Sequence, residues 1–145
     1  KVGYARAEEH LNSGKPLPAL YQDDRDAVNA LVNLCHGNAK ASGWWPELTP
    51  EAPTPPLSRI GWALTLIHSE VSESAEGFRK DIPDDKLPHR KMAEVELADA
   101  VIRIADLAGA CGFDLGAAVV EKLAYNAQRA DHKPENRALA GGKKY

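Results

Sequence analysis

Two short acidic motifs carry the residue types best suited to chemistry, Glu70-Val-Ser-Glu73 and Glu96-Leu-Ala-Asp99. In each motif two carboxylates lie three residues apart, which is the spacing that places side chains on one face of an α-helix. If the two helices pack antiparallel, the four carboxylates could converge, and they would repel strongly unless a positive charge lay between them. Because the ligands are all oxygens and no cysteine lies nearby, the pattern favours Mg²⁺ or Mn²⁺ over zinc.

Acidic pairs of this spacing also occur by chance on solvated helix faces, so the context of each pair matters. Both pairs interrupt or border lines of helical spacing that are otherwise apolar or small: Ala63, Leu66 and Gly77 for the first pair, and Met92, Val95 and Ile102 for the second. A helix that only packed against a core would have Leu or Ala at these positions, because an unpartnered buried carboxylate is costly. We therefore interpret the acids as functional.

The elements that must position these acids are predicted to be helices. Apolar side chains recur at helical spacing over about residues 23–42, 58–80, 89–110 and 114–130. No segment shows the two-residue alternation of a strand bounded by turn residues. Ser58 and Asp114 are the candidate N-caps of the second and fourth helices, and Gly43 is a candidate end of the first.

The predicted fold class is all-α, with a four-helix up-and-down bundle-like core. Residues 1–22 are expected to form an irregular N-terminal arm, and the segment around Gly141-Gly142 an irregular C-terminal tail. Residues 23–145 are expected to form a single domain, interrupted by a proline-rich linker at 46–57.

The proline-bounded turn at 81–88 is predicted to make the second and third helices antiparallel neighbours. Glu70 and Glu73 lie about ten residues before this turn, and Glu96 and Asp99 about ten after it. At a rise of about 1.5 Å per residue, both pairs would lie at a similar height along the hairpin.

Length and composition bound the class of protein. A chain of 145 residues with 43% hydrophobic content suits one soluble domain. It has no apolar run of membrane-spanning length and no signal-peptide pattern. The isolated Cys35 and Cys111 favour free thiols in a reducing cytoplasm, so a cytoplasmic protein is expected. A net charge of -3 is too small to indicate nucleic-acid binding.

These motifs resemble those of the MazG-like, all-α nucleoside triphosphate pyrophosphohydrolases, which are related to helical dUTP and dCTP pyrophosphatases. That family has an ExxE motif, a spacer of a dozen to nearly thirty residues, and then an ExxD motif. Here 22 residues separate the two motifs. The flanking segments LIHSEVSESAEGFRK and EVELADAVIRIADLA are similar as well, as are EKLAYNAQRADH and the closing GGKKY. The resemblance covers roughly residues 28–145.

The resemblance implies an enzyme that hydrolyses a nucleoside triphosphate, a dNTP or a non-canonical NTP, to the monophosphate and pyrophosphate. Its cofactor would be Mg²⁺, for which Mn²⁺ can substitute, held by Glu70, Glu73, Glu96 and Asp99. The cation would lower the pKa of a bound water that attacks phosphorus. One carboxylate would accept the proton of that water. Glu73 is one candidate, and the sequence leaves the choice open.

The resemblance also assigns contacts to the phosphates of the nucleotide. Lys122, Asn126 and Arg129 lie at i, i+4 and i+7 on the fourth helix, at positions that match basic and amide positions of the family. Lys122 and Arg129 are phosphate candidates, and Asn126 is a candidate for base, sugar or phosphate. A solvated helix edge is the alternative interpretation of these side chains.

A base pocket is expected near His36, Trp44 and Trp62, because related helical pyrophosphatases use a His and Trp set from this region. Aromatic faces stack on nucleobases, although packing in a core or subunit interface is the alternative for each Trp. Members of the family are oligomeric, so a homodimer or homotetramer is expected, with no membrane or nucleic-acid partner.

Two other functions use similar residues. A ferritin-like di-iron bundle also uses helical carboxylates, but it needs ExxH motifs, and the sequence contains none. A non-catalytic nucleotide-binding or helical interaction module remains the alternative. Metal-dependent protection by a triphosphate without turnover would separate such a module from the enzyme.

Overall fold

The computed structural model describes residues 22–129, together with residues 136 and 138. The described residues form four α-helices: α1 (Gln22–Ala41), α2 (Leu57–Lys80), α3 (Met92–Ala110) and α4 (Leu115–Gln128). Within these residues the only β-pairing is an isolated bridge between Pro83 and Lys91. The prediction of an all-α fold with a four-helix core is therefore confirmed. The predicted N-terminal arm and C-terminal tail lie outside the described residues, except for residues 22, 136 and 138.

The chain divides into two compact units, and one boundary between them lies inside α1. The hairpin unit is Ala30–Phe113 and contains most of α1 together with α2 and α3. The terminal unit holds the described residues of Lys1–Asn29 and Asp114–Tyr145, which are the first turns of α1, α4 and the residues after α4. The four motif acids all belong to the hairpin unit.

Helices α2 and α3 approach closely because small residues line their contact. A Cβ added at Gly77 would lie 2.6 Å from the backbone nitrogen of Ala93, so a larger residue would push the helices apart. One turn earlier, the Ser74 hydroxyl donates to the carbonyl oxygen of Ala93 at 3.4 Å. The predicted antiparallel pairing of these helices is confirmed.

The connection between α2 and α3 reverses the chain within a few residues. Asp81 adopts a left-handed conformation with φ 51°, which ends α2. The carboxylate of Asp84 is buried and accepts hydrogen bonds from the backbone nitrogens of Lys86 at 2.9 Å and Leu87 at 2.6 Å. This local bonding fixes the shape of the turn and thereby the register of the hairpin.

In the terminal unit, Asp114 joins the start of α4 to the first turns of α1. Its carboxylate accepts from the backbone nitrogen of Ala117 at 3.0 Å, which confirms the predicted N-cap. It also accepts from Asn29 at 2.9 Å and from Arg25. These donors, Asn29 first, lower the pKa of Asp114 to about 2.

The helix bounds agree with the prediction to within a few residues, and two local differences have clear causes. The prediction that Ser58 caps α2 was wrong, because α2 begins at Leu57 and the N-cap position is Pro56, with no side-chain cap hydrogen bond. The third helix begins at Met92 rather than near residue 89, because Arg90 still belongs to the turn and donates its backbone nitrogen to the carbonyl of Leu87. None of the four described helices is long and apolar enough to cross a bilayer.

Candidate metal centre

Three of the four motif acids converge between α2 and α3. Carboxylate oxygens of Glu70, Glu96 and Asp99 all lie within 4.8 Å of one another. Glu70 comes from α2, whereas Glu96 and Asp99 come from α3, so the cluster exists only because the hairpin brings the two helices together. The structure thus brings these three residues together at the height that the spacing predicted.

The acids at the centre of this cluster are buried and crowded by like charge. Glu70 is 6% exposed and Glu96 is 8% exposed. Burial raises the pKa of Glu96 to about 7, and the hydrogen bond to Glu70 and the charges of Glu73, Glu70 and Asp99 act in the same direction. Near neutral pH Glu96 is therefore partly protonated, and a bound cation would displace this proton.

Glu73 lies at the edge of the cluster rather than inside it. Its side chain is exposed, and it does not belong to the group of acids whose oxygens lie within 4.8 Å of one another. Its charge nevertheless acts on Glu96 and raises the pKa of that residue. The role of Glu73 as a metal ligand or as a base stays a prediction.

A basic residue that the sequence analysis did not single out also contacts the cluster. The Nε of Arg103 donates to Oε1 of Glu70 at 2.5 Å. Arg103 follows Asp99 by four residues and Glu96 by seven, so the three share one face of α3. The sequence could have indicated Arg103, because it lies one helical turn beyond Asp99 on the face that carries Glu96 and Asp99.

A second polar cluster, formed by His36, Trp45 and Asp106, lies further along α3. Both Nδ1 of His36 and Nε1 of Trp45 are hydrogen-bonded to Oδ1 of Asp106 at 2.8 Å. The two rings meet edge to face, with centroids 6.1 Å apart. A Cβ added at Gly109 would lie 2.5 Å from Cβ of His36, so glycine is needed for this approach of α1 to α3. Asp106 follows Asp99 by seven residues, which is about 10 Å along the helix.

Comparisons with protein-family models, with curated proteins and with solved structures find no match to this chain.

The residues predicted to form a base pocket are only partly brought together. His36 contacts Trp45 rather than Trp44. Trp45 is buried, with 6% of its surface exposed, whereas Trp44 is 65% exposed. The guanidinium of Arg59 packs over the Trp45 ring at 5.0 Å from its centroid and donates to the carbonyl oxygen of Trp44 at 2.6 Å. Trp62 is an exposed residue of α2, eight positions before Glu70. Contacts of His36, Trp44 and Trp62 with a base stay predictions.

The residues predicted to contact the phosphates belong to the terminal unit. Lys122 and Asn126 lie on α4, and Arg129 lies at its C-cap position, one residue past the helix. The Lys122 ammonium is 4.8 Å from the centroid of the Tyr125 ring. Oδ1 of Asn126 is buried and has no hydrogen-bond partner among the described residues. The nucleotide contacts of Lys122, Asn126 and Arg129 stay predictions.

The acidic cluster has the properties of a site for a hard divalent cation. Glu70, Glu96 and Asp99 offer only carboxylate oxygens, the donors that Mg²⁺ and Mn²⁺ prefer. Their oxygens lie close enough together to share one ion, and the ion would offset the burial and the repulsion from neighbouring acids that raise the pKa of Glu96. The residues present therefore fit the expected cofactor.

Proposed function

We propose that this protein is a Mg²⁺-dependent nucleoside triphosphate pyrophosphohydrolase. It cleaves a dNTP or a non-canonical NTP to the monophosphate and pyrophosphate, and Mn²⁺ can replace Mg²⁺. The observation that carries the proposal is the convergence of Glu70, Glu96 and Asp99 across the α2–α3 hairpin, with Glu73 at the edge. This is the ExxE and ExxD arrangement that the sequence resemblance implies for such enzymes.

The chain's own residues divide the work of the reaction. Bound Mg²⁺ would neutralise the charge of the triphosphate and supply a water of lowered pKa. Glu70, Glu96 and Asp99 hold the cation by their carboxylates. Glu73 follows Glu70 by three residues on the same helix and stays accessible to solvent, so it can accept a proton at its carboxylate as a general base.

Recognition of the nucleotide is assigned to side chains outside the acidic cluster. His36, with its ring held by Asp106, and the exposed faces of Trp44 and Trp62 are proposed to meet the base. The resemblance alone supports phosphate contacts by Lys122 and Arg129 and a nucleotide contact by Asn126.

A product analysis tests the proposed reaction. A panel of canonical and modified NTPs and dNTPs is incubated with the protein and Mg²⁺ or Mn²⁺, and the products are separated by chromatography. We expect monophosphate and pyrophosphate from at least one nucleotide, with turnover lost in Glu96→Gln. The matched control is Glu94→Gln, because Glu94 is an exposed acid of the same helix that pairs with Arg90 rather than with the cluster.

Two results would contradict the proposal that this protein is such an enzyme. Equal turnover by the wild type and Glu96→Gln would remove the acidic cluster from the reaction. No turnover of any nucleotide, combined with metal-dependent protection of the protein by a triphosphate, would instead indicate a nucleotide-binding module.

We also propose that the protein assembles as a homodimer through an apolar face of the hairpin. Four exposed apolar residues recur at seven-residue spacing on α2: Leu57, Leu64, Val71 and Phe78. Three more follow helical spacing on α3, where Leu97, Val101 and Ile104 are each nearly half exposed. At about 100° per residue, both lines lie roughly a quarter turn from the helix–helix contact and on the same side of the hairpin, opposite the acids.

A second copy of the chain is the partner that best fits this face. No large side chain among the described residues is fully buried, and the buried apolar residues are mostly alanines. The seven exposed side chains lie on one side of the hairpin, and exposed apolar faces of this kind mark interaction surfaces. A heptad stripe is also self-complementary, as a two-fold dimer requires.

Light scattering at micromolar concentration tests this assembly. We expect the mass of a dimer for the wild type, or of a tetramer if a further interface forms, and of a monomer for Leu64→Glu/Val71→Glu. The matched control, Ser72→Glu, adds charge at an exposed position of the same helix and should leave the mass unchanged. A monomeric wild type would contradict this assembly.

We place the protein in the cytoplasm as part of this proposal. Cys35 and Cys111 are both free thiols, which suits a reducing compartment and nucleotide metabolism.

A further inference from the structure

Arg103 places a positive charge directly against the buried acid of α2. Its Nε donates to Oε1 of Glu70 at 2.5 Å. The Glu70 side chain is 8% exposed, whereas that of Arg103 is 42% exposed. The guanidinium therefore has one fixed partner inside the cluster and an open path to solvent.

A divalent cation and the guanidinium are competitors for Glu70. A cation coordinated by this carboxylate would bring two further positive charges within a few ångström of the Arg103 guanidinium, which cannot lose its proton. The long arginine side chain can leave, because it enters the cluster from the exposed side.

An anion next to the cation would give the displaced guanidinium a new partner. The phosphate groups of a nucleotide carry several negative charges, and a planar guanidinium binds phosphate through two parallel hydrogen bonds. Glu96, Asp99 and Arg103 share one face of α3, so a phosphate bound at the acids through a cation would lie within the reach of Arg103.

We propose that Arg103 is a built-in counter-ion of the cluster: it neutralises Glu70 in the metal-free protein and moves to the phosphates of the bound nucleotide once a divalent cation takes Glu70. The second half of this statement rests on the proposed function. The first half rests only on the contact between Arg103 and Glu70. Arg103 is thus expected to weaken cation binding in the free protein and to strengthen nucleotide binding in the metal-loaded protein.

Mn²⁺ binding to the nucleotide-free protein tests the first half. The affinity is measured by electron paramagnetic resonance for the wild type, Arg103→Gln and Arg103→Lys. We expect Arg103→Gln to bind Mn²⁺ about 5-fold more tightly or better, a typical size for coupling between sites, and Arg103→Lys to stay near the wild type. The matched control is Arg90→Gln, which removes an arginine of the turn before α3 that pairs with Glu94 of that helix.

Steady-state kinetics at saturating metal test the second half. The KM for the triphosphate is expected to rise roughly 10-fold or more in Arg103→Gln, the loss expected for a charge-assisted hydrogen bond, with partial recovery in Arg103→Lys. A residue that only stabilised the fold would not strengthen metal binding and weaken nucleotide binding in the same variant. Circular dichroism and melting curves establish that each variant is folded.

Each contrary outcome has a separate meaning. Unchanged or weaker Mn²⁺ binding in Arg103→Gln, with normal turnover by the wild type, would make Arg103 a static ion pair and leave the proposed function intact. Tighter Mn²⁺ binding with unchanged KM would overturn the transfer to phosphate. If the wild type neither binds Mn²⁺ nor turns over any nucleotide, both the proposed role of Arg103 and the proposed function are wrong.

Discussion

Two carboxylates on helix α3 face the interior of the same hairpin unit in opposite chemical situations. Asp106 accepts hydrogen bonds from the rings of His36 and Trp45, both at 2.8 Å. Glu96, ten residues earlier, has other acids as neighbours, and its pKa is raised to about 7 by burial, Glu70, Glu73 and Asp99. The protein thus surrounds Asp106 with hydrogen-bond donors, whereas it surrounds Glu96 with other acids that repel its negative charge.

The difference teaches how a functional acid can be told from a structural one. A buried carboxylate that accepts hydrogen bonds from side chains contributes to a defined packing arrangement. A buried carboxylate surrounded by acids destabilises the free protein, and such a group is retained where a ligand offsets the repulsion. The surroundings of Glu96 therefore support the proposed cation site, whereas Asp106 supports the neighbouring rings.

The largest expected effect separates the two residues by their response to metal. In Glu96→Gln, the rise in melting temperature caused by Mg²⁺ or Mn²⁺ should be lost. Turnover should fall by more than the roughly 10- to 100-fold that is typical of a residue that only supports a metal ligand. Asp106→Asn should keep the shift in melting temperature. Equal metal responses in these two variants would erase the distinction.

The next effect concerns the stability of the metal-free protein, where the variant at Asp106 should lose more than the variant at Glu96. Asp106→Ala leaves Nδ1 of the part-buried His36 and Nε1 of the buried Trp45 without their acceptor and should lower the free energy of unfolding by about 2–4 kcal/mol. Glu96→Gln relieves repulsion and should leave this free energy unchanged or higher. Urea denaturation in a chelating buffer measures both, and a loss of stability in Glu96→Gln would show that this acid is structural.

A third effect probes the contact that brings the acids together. In Gly77→Ala the new methyl group meets the backbone of Ala93, so the free energy of unfolding should fall by about 1–3 kcal/mol and the metal affinity should fall with it. Gly61→Ala on the same helix is the control, because nothing lies within 4 Å of its added Cβ and helix propensity favours alanine by about 1 kcal/mol. Identical behaviour of the two variants in thermal melts would contradict the close approach.

The last effect, small per pH unit, is a pH dependence that comes from the acidic cluster. The folded pKa of Glu96, about 7, lies above its ordinary value of 4.5, so the folded protein retains a proton that the unfolded chain loses between these values. The free energy of unfolding of the metal-free protein should therefore fall as the pH rises from 4.5 to 7, by at most about 1.4 kcal/mol per unit. This contribution should be absent in Glu96→Gln, and a wild-type curve that rises over the same interval after subtraction of the variant would be inconsistent with it.

The sequence predicted the parts of the molecule that depend on periodicity. Helical spacing and a short turn are local properties, and they were enough to predict four helices, the antiparallel hairpin and the convergence of Glu70, Glu96 and Asp99. The Asp114 cap could be predicted for the same reason, since a capping side chain acts within three residues of itself.

The parts that the sequence did not predict depend on contacts between distant segments or on irregular backbone. Arg103 contacts Glu70 across 33 positions, and periodicity on one helix says nothing about which residue of another helix it meets. Trp44 and Trp45 follow the end of α1, where no helical spacing decides which of the two turns inward. The exposure of Glu73 likewise depends on the rotation of α2 against α3, which the packing at Gly77 sets.

The central claim is that Glu70, Glu96 and Asp99 bind a divalent cation that serves nucleotide hydrolysis. An anomalous difference map from crystals grown with Mn²⁺ and a non-hydrolysable triphosphate locates the metal directly. We predict a peak at coordination distance, about 2.0–2.3 Å, from these three carboxylates, with the phosphates of the nucleotide on its open side. A bound triphosphate with no peak at the cluster, or with Mn²⁺ held only by other residues, would contradict the claim.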